Sequence, residues 1–410
     1  MAYVAMSKIY YHGQAEYAAE YKKRFASPDA VRLPFQVGGK PAFFLQNAEA
    51  FRLAYEIAKL DKEICVLCHM LPRVVIDQYS RKCLIDEIVL TNNIEGVHSS
   101  RKEIGDALDI LAQQAQKKQK HPRFVGLVNK YLKLMREEPI PLNSCEAIRA
   151  LYDELFLEEV VAENAQNRPD GIIFRKEATS IYNNAQREIH KGVYPETEII
   201  SAMGQALQFL NDDTVEKLFR VCVFHFLFEY IHPFYDGNGR LGRFILSYSI
   251  SETLEPLLAY RISEIIKENI KAYYKAFEVC NDPHNLADLT PFLLMQLEMI
   301  YLASAELKDS LQKRNERWNR YKELIPALFG TGQEDLRKLY YILIQSALFS
   351  ENGISVKGLS AVMEISEATV RRHVEKLPQD WIVQSNKGKT RYYNANLRAL
   401  DDLLLQQVTE

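Results

Sequence analysis

Apolar residues recur every three or four positions along most of this chain, and the breaks in that rhythm carry the information. The first sustained run, from about residue 47 to 115, reads NAEAFRLAYEIAKLDKEICVL and, after Pro72, RKCLIDEIVLTNNIEGV. Its spacing predicts two or three amphipathic helices. QKKQKHPRFV, at about 117 to 125, is basic and contains proline, which predicts a solvated connection. Helical spacing returns at 146 to 158, and NRPDGIIFR ends it with Pro169, Asp170 and Gly171. ATSIYNNAQREIHKGV then alternates as strands do about a polar turn at Asn183 and Asn184, predicting one β-hairpin over roughly 172 to 193. From about 196 the helical period resumes. TVEKLFRVCVFHFLFEYI (214 to 231) is apolar on most faces, as a central buried helix would be, and the pattern runs on to about 325.

FGTGQED, at 329 to 335, interrupts with two glycines and marks a domain boundary. Beyond it SVKGLSAVMEISEATVRRHVEKL reads as helix, turn, helix, and WIVQSNKGKTRYYNA as strand, Lys-Gly-Lys turn, strand. That is the layout of a winged helix-turn-helix. Arg371, Arg372, His373 and Lys376 fall on its second helix and Lys387, Lys389 and Arg391 on its wing. Such modules bind either DNA or protein, and basic residues this few leave both readings open. The expected fold class is mostly α with a single internal hairpin, in three parts: 1–115, 116–328 and 329–410.

Composition narrows the classes. A chain of 410 residues with 47% apolar content fills more than one core. Lys plus Arg (51) nearly balances Asp plus Glu (54), so no whole-chain field draws it to nucleic acid or an anionic membrane. The first thirty residues carry no export pattern and no long apolar run occurs, which predicts a cytoplasmic chain with no membrane partner. Six scattered cysteines then read as free thiols packed as small hydrophobes. CVLCH, at 65 to 69, spells a haem-attachment signature, but without export it reads as a buried pair on a helix. No sustained heptad fixes an oligomeric state.

The densest chemistry is IHPFYDGNGRLGR, residues 231 to 243, set between two apolar runs. Pro233 cannot continue a helix and biases His232 away from helical geometry, so the buried helix stops there. Gly237 and Gly239 let backbone N–H groups approach an anion, and a second helix begins near Arg240 with its amides facing the loop. Arg240 and Arg243, three apart, share a face and fork onto phosphate oxygens, while Asp236 suits a Mg²⁺ bridging two phosphates. His232 at the loop mouth is a general base near neutral pH. The set points to phosphoryl or nucleotidyl transfer, without P-loop spacing or a kinase glycine loop. His225, seven residues earlier on the same helical face, would form a metal trio with His232 and Asp236, or more simply be a buried, hydrogen-bonded histidine.

HPF-x-D-GNGR-x-x-R resembles the signature of the Fic family at His232, Pro233, Phe234, Asp236, Gly237, Asn238, Gly239, Arg240 and Arg243. The resemblance implies a helical Fic core that transfers AMP from ATP to a Ser, Thr or Tyr hydroxyl of a target protein, of which the chain itself is one candidate. It implies His232 as catalytic base and Asp236 as the Mg²⁺ ligand. It further implies a nucleotide site of Asp236, Gly237, Asn238, Gly239, Arg240, Leu241, Gly242 and Arg243. The hairpin falls where the family has a target-aligning flap, giving Thr179, Ser180 and Ile181 as lining residues, although its sequence departs from the usual glycine-containing flap. AYYKAFEVCN resembles the adenine-side segment and offers Tyr273, Tyr274 and Asn281; by periodicity alone the tyrosines are helix packing. Gly239 sets the chain apart from relatives with lysine there, which resemble kinases.

TNNIEG, residues 91 to 96, matches the [S/T]xxxE[G/N] motif that closes an inhibitory helix in many Fic proteins. Glu95 stands one turn past Thr91, on a shared face, before the Gly96 cap, and a carboxylate aimed at the phosphate site pairs with Arg243. The implied activity is thus protein adenylylation held in check, and in some relatives the same glutamate helps remove AMP. Two other readings stand beside it. One is the same site working on another donor, such as UTP, GTP or a CDP-alcohol; the other is a winged-helix transcription regulator whose Fic core senses a nucleotide.

Overall fold

The computed structural model describes residues 3–71, 73–112, 124–135, 138–182, 188–350, 353–387 and 390–409. The expected turn at Asn183 and Asn184, the connection over 117–123 and the wing tip with Lys389 lie outside these residues. The fold is mostly helical, as the apolar period predicts. In chain order the elements used below are α1 (Gln14–Phe25), β1 (Ala30–Val37), β2 (Lys40–Leu45), α2 (Ala48–His69), α3 (Arg73–Ile94) and α4 (Cys145–Tyr152). A π-helical turn, Asp153–Leu157, joins α4 to α5 (Glu158–Glu163). Then come β3 (Ser180–Tyr182), β4 (Glu188–Lys191), α6 (Glu196–Leu210), α7 (Lys217–Ile231), α8 (Asn238–Ser251), α9 (Ile270–Asn281) and α10 (Thr290–Leu328). The chain closes with α11 (Glu334–Phe349), β5 (Ile354–Ser355), α12 (Val356–Met363), α13 (Glu367–Lys376), β6 (Ile382–Lys387), β7 (Thr390–Ala395) and α14 (Leu397–Thr409).

Two compact units emerge, the first formed by Met1–Asp61 with Leu84–Ala305, the second by Lys62–Cys83 with Glu306–Glu410. The division is drawn by packing rather than along the chain, so α2, α3 and α10 contribute to both. In the first unit α7 is the central rod. From Leu218 to Phe228 every residue is buried, which explains a run that is apolar or aromatic apart from Arg220 and His225. β1 and β2 form an antiparallel hairpin that the expectation of a single hairpin left out, with an irregular register between Arg32 and Gln36. β3 and β4 form the second hairpin, pairing Ser180 with Lys191 and Ile181 with His190.

That second hairpin is shorter than the expected 172–193. Residues 171–177 turn instead of pairing, because their backbone groups have other partners. Both carboxylate oxygens of Glu196, in the first turn of α6, accept the N–H groups of Ile172, Ile173 and Phe174 at 2.8–3.0 Å. CVLCH proves to be the last turn of α2, with His69 Nδ1 2.7 Å from the carbonyl of Cys65.

In the second unit β5, β7 and β6 form an antiparallel sheet in that order, beside α12 and α13. Ser355 and Ser366 cap these two helices, accepting the N–H of Gly358 and of Thr369, each at 3.1 Å. A cleft of about 470 Å³ opens among them, lined in part by Lys357, Glu367, Arg371, Glu375, Arg391 and Tyr393. No helix among the described residues is long and apolar enough to cross a membrane.

Candidate active site

The loop between α7 and α8 is held from within. His232 closes α7 in the left-handed region (φ 52°, ψ 63°), its N–H still donating to the Phe228 carbonyl at 3.0 Å, and Pro233 stops the helix. Phe234 stacks flat on Tyr152, centroids 3.7 Å apart and planes 7° from parallel. Asn238 clamps the loop, its Oδ1 accepting the N–H of Phe234 at 2.9 Å and its Nδ2 donating to the Phe234 carbonyl at 2.8 Å. Gly237 turns the chain at φ 82°, where a side chain would be strained and would press at 3.3 Å on Tyr152. Asp236 Oδ1 accepts the Gly237 N–H at 2.5 Å, and its Oδ2 lies 3.5 Å from Asn167 Nδ2.

The first turn of α8 follows. Leu241 N–H already bonds the Gly237 carbonyl at 3.0 Å, so the helix-start amides with no intrahelical carbonyl are those of Asn238, Gly239 and Arg240. Arg240 is 1% exposed. Its Nη1 donates to Glu159 Oε1 at 2.9 Å and its guanidinium lies 4.9 Å over the Phe156 ring. Its Nε and Nη2 are buried without a hydrogen-bond partner. Two nitrogens with unused N–H donors on a buried cation are costly unless an anion completes them, so this side chain fits a phosphate. The π-helical turn between α4 and α5 helps place Phe156 and Glu159 beneath it.

Arg243 is also 1% exposed, but every nitrogen of its fork is engaged. Nε donates to Thr91 Oγ1 at 2.9 Å, Nη2 to the Thr91 carbonyl at 3.0 Å, and Nη1 pairs with Glu95 Oε1 at 2.7 Å. Burial alone would lower the pKa of Arg243, yet Glu95 and its other neighbours raise it. Glu95 follows directly on α3, and Gly96 turns the chain away at φ 74°. The Glu95 carboxylate stands against the start of α8, where a Cβ on residue 239 would overlap its Oε1. It therefore lies at the amides an anion would use.

Enclosure, then the charges of His190 and Arg175, push the pKa of His232 down to about 3, against the pull of the Glu229 main-chain carbonyl. The imidazole is neutral throughout the physiological range. Arg175, fully buried, ties the surroundings together: Nε donates to the His232 carbonyl at 2.9 Å, Nη1 to Glu177 at 2.6 Å and Nη2 to Val193 at 2.8 Å. The hairpin edge is thereby fastened to the loop. His190 Nε2 also lies 2.7 Å from the Tyr230 carbonyl.

The residues expected at the site divide into groups. Glu95, Gly239 and Arg243 meet at the start of α8, while His232, Asp236 and Arg240 lie along the loop and first helical turn that lead to them. Asn238 spends its side chain on the loop, Leu241 is fully buried in the core, and Gly242 packs against Glu229, where a Cβ would overlap Oε1. Thr179 and Ser180 sit at the root of the hairpin, where the Gly192 N–H bonds the Thr179 carbonyl at 3.0 Å; the side chain of Ile181 lies outside the description. Tyr273 is 2% exposed with its hydroxyl 2.8 Å from His225 Nε2, so His225 is a buried, hydrogen-bonded histidine. Tyr274 is partly exposed and within electrostatic reach of Glu95 and Arg243, and Asn281 Oδ1 is buried without a partner.

Among the described residues no three His, Cys, Asp or Glu side chains gather to hold a metal. Asp236 offers a lone carboxylate, which suits Mg²⁺, an ion that takes most of its ligands from phosphates and water. Sequence reasoning missed Glu159, Glu196, Glu229 and Arg175. The first three look like ordinary helix carboxylates, and nothing local marks a buried arginine in a turn.

Residues 142–250 match the family model described as Fic/DOC. A probable protein adenylyltransferase of Aquifex aeolicus is 43% identical over 54 residues, which are 13% of this chain and 17% of that protein. The protein adenylyltransferase fic-1 of Caenorhabditis elegans is 28% identical over 98 residues, 23% of this chain and 18% of that one. The chain thus spans less than a fifth of the length of these curated relatives. Over 86% of this chain and 97% of the other, the fold resembles the crystal structure of a Fic family protein from Desulfovibrio desulfuricans, with a TM-score of 0.51 and 21% identity. The matched residues 142–250 contain the loop and the start of α8 described above, and this segment carries the Fic/DOC domain.

Proposed function

We propose that this chain transfers AMP from ATP to the hydroxyl of a protein side chain and is checked at rest by Glu95. The observation that carries the reading is Arg240, buried with unused N–H donors on two nitrogens at the start of a helix whose amides face the same space. The names of the two curated relatives support it.

In this reading the triphosphate lies over the first turn of α8, gripped by Arg240, by Arg243 once Glu95 withdraws, and by the amides of Asn238, Gly239 and Arg240. Asp236 would hold Mg²⁺, which when bound neutralises phosphate charge. The hairpin, fastened by Arg175, presents the target hydroxyl beside His232, with Thr179, Ser180 and Ile181 lining the approach. As the hydroxyl oxygen attacks the α-phosphorus, neutral His232 takes its proton. The bond from the α-phosphorus to the bridging oxygen breaks, and pyrophosphate departs. Tyr274 and Asn281 stand on the adenine side, with Tyr273 packing behind them.

Glu95 opposes this by pairing with Arg243 and standing in the space before the α8 amides. The test is Glu95→Gly in the full chain, incubated with Mg²⁺ and ATP labelled at the α- or the γ-phosphate, and read by autoradiography and intact mass. Label from the α-position only, on the chain itself or on lysate proteins, is the expected result. Label from the γ-position, or none in either protein, counts against it. A panel of UTP, GTP and a CDP-alcohol separates the donor readings.

The second unit supports an ancillary role. Lys357, Arg371 and Arg391 share one cleft between α13 and the strands, which suits phosphodiester oxygens, although Arg371 is paired at 3.1 Å with Glu367. Duplex DNA binding that weakens steeply with salt is the expected outcome. Salt-independent or absent binding returns the unit to protein contact.

A further inference from the structure

Beside Arg243 stands a second carboxyl group that the proposed chemistry leaves unused. Glu229 lies on the last turn of α7, three residues before His232. Its Oε1 is buried without a hydrogen-bond partner and abuts Gly242 of α8 so closely that a Cβ there would overlap it. The charged and titratable groups facing it come from each element around it: Glu95 beyond the end of α3, Arg243 on α8, and Tyr273 and Tyr274 on α9. An ionised carboxylate here would place charge on a buried, unpartnered oxygen within reach of another carboxylate. Burial first, and Glu95 second, push the pKa of Glu229 up to about 8, against the opposing pull of Arg243. At neutral pH the cluster therefore holds one cation in Arg243, one anion in Glu95 and one neutral acid in Glu229.

We propose that Glu229 sets the charge of the Arg243 site: as a neutral acid it leaves the guanidinium to an incoming phosphate, and as a carboxylate it becomes a rival counter-charge. The proposal rests on the phosphate-site reading above. Glu229 acts through Arg243 and touches no reacting atom. When phosphate oxygens replace Glu95, more negative charge arrives beside Glu229 and holds its proton more tightly. Anion binding is thus coupled to proton retention, and above the pKa of the free site to proton uptake. The sign follows from linkage: affinity does not depend on this group while it stays protonated. It falls by about tenfold per pH unit once the group ionises in the free protein, until the pKa of the complex is reached.

The experiment compares the full-length Glu95→Gly chain with Glu95→Gly/Glu229→Gln. MgATP affinity is measured by calorimetry from pH 6.5 to 9.5 in two buffers of different ionisation enthalpy. Removing Glu95 takes away one charge that raises the Glu229 pKa, so the fall begins at or below about 8 in the single variant. The double variant, with a neutral amide of the same shape, is expected to bind as well at pH 7, to stay flat relative to the single variant, and to take up no proton. Glu95→Gly/Glu229→Leu is the second neutral control should the amide misfold. Parallel curves in single and double variants overturn the proposal, as does affinity lost equally at every pH in both neutral variants, the mark of a merely structural residue. A single variant that binds no MgATP at any pH sinks the phosphate-site reading, and this proposal with it.

Discussion

The Glu95–Arg243 pair offers the sharpest quantitative test. Arg243 is 1% exposed and Glu95 34%, with 2.7 Å between Nη1 and Oε1. A hydrogen bond to a charged group contributes about 1.5–3 kcal/mol. Solvent at the more exposed carboxylate screens part of that, which leaves about 1–2 kcal/mol for an incoming phosphate to overcome. At 1.4 kcal/mol per tenfold, Glu95→Gly should tighten MgATP binding by about 5- to 30-fold. Glu95→Gln, which removes the charge and keeps the shape, should recover most of that gain if the competition is electrostatic. Both variants leave a buried guanidinium short of a counter-charge, so both should melt below the wild type, and saturating MgATP should restore them. Calorimetric titration with MgATP, beside thermal unfolding with and without it, measures each quantity. Unchanged affinity in both variants, with the helical circular dichroism intact, would refute the idea that Glu95 and the triphosphate compete for Arg243.

Three further outcomes follow from the same geometry. His232→Ala should abolish transfer while MgATP affinity stays within a few-fold, which separates a base from a phosphate ligand. Because enclosure, His190 and Arg175 hold the His232 pKa down to about 3 in the free protein, the pH profile of kcat/KM should show no acid limb near 6.5, where an ordinary histidine would lose its basicity. A limb there would mean the imidazole is more exposed to water than described. Arg175→Lys gives up the planar fork that reaches the carbonyls of His232, Glu177 and Val193, and should cost about 3 kcal/mol or more in chemical unfolding. Hydrogen exchange should then rise at the hairpin root around Gly192; exchange unchanged there would show that other contacts fasten the hairpin.

Local physics made a good part of this legible in the sequence. The apolar period located α7, and Pro233 with the following glycines located its end, because a proline gives up a helix hydrogen bond and biases its predecessor away from helical geometry. The pairing of Glu95 with Arg243 could be foreseen from helical spacing within each segment, once the motif had placed the two segments face to face. The hairpin was overestimated because alternation is a statement about side chains. Whether residues 172–174 pair as strands depends on a carboxylate, Glu196, more than twenty positions away, that takes their N–H groups first.

What the sequence by itself determined was therefore the inventory and its local geometry: the buried rod, the glycine turn, the new helix start, and an imidazole and two guanidinium groups at fixed spacing. Only the tertiary structure decided which arginine keeps spare donors and which is plugged, that Asn238 serves the loop, and that Glu229 holds one buried, unpartnered oxygen near Arg243. Burial and long-range pairing have no local signature. A carboxylate in a helix reads alike in the sequence whether it meets water, a cation or another carboxylate, and its charge is settled only by what the folded chain brings against it.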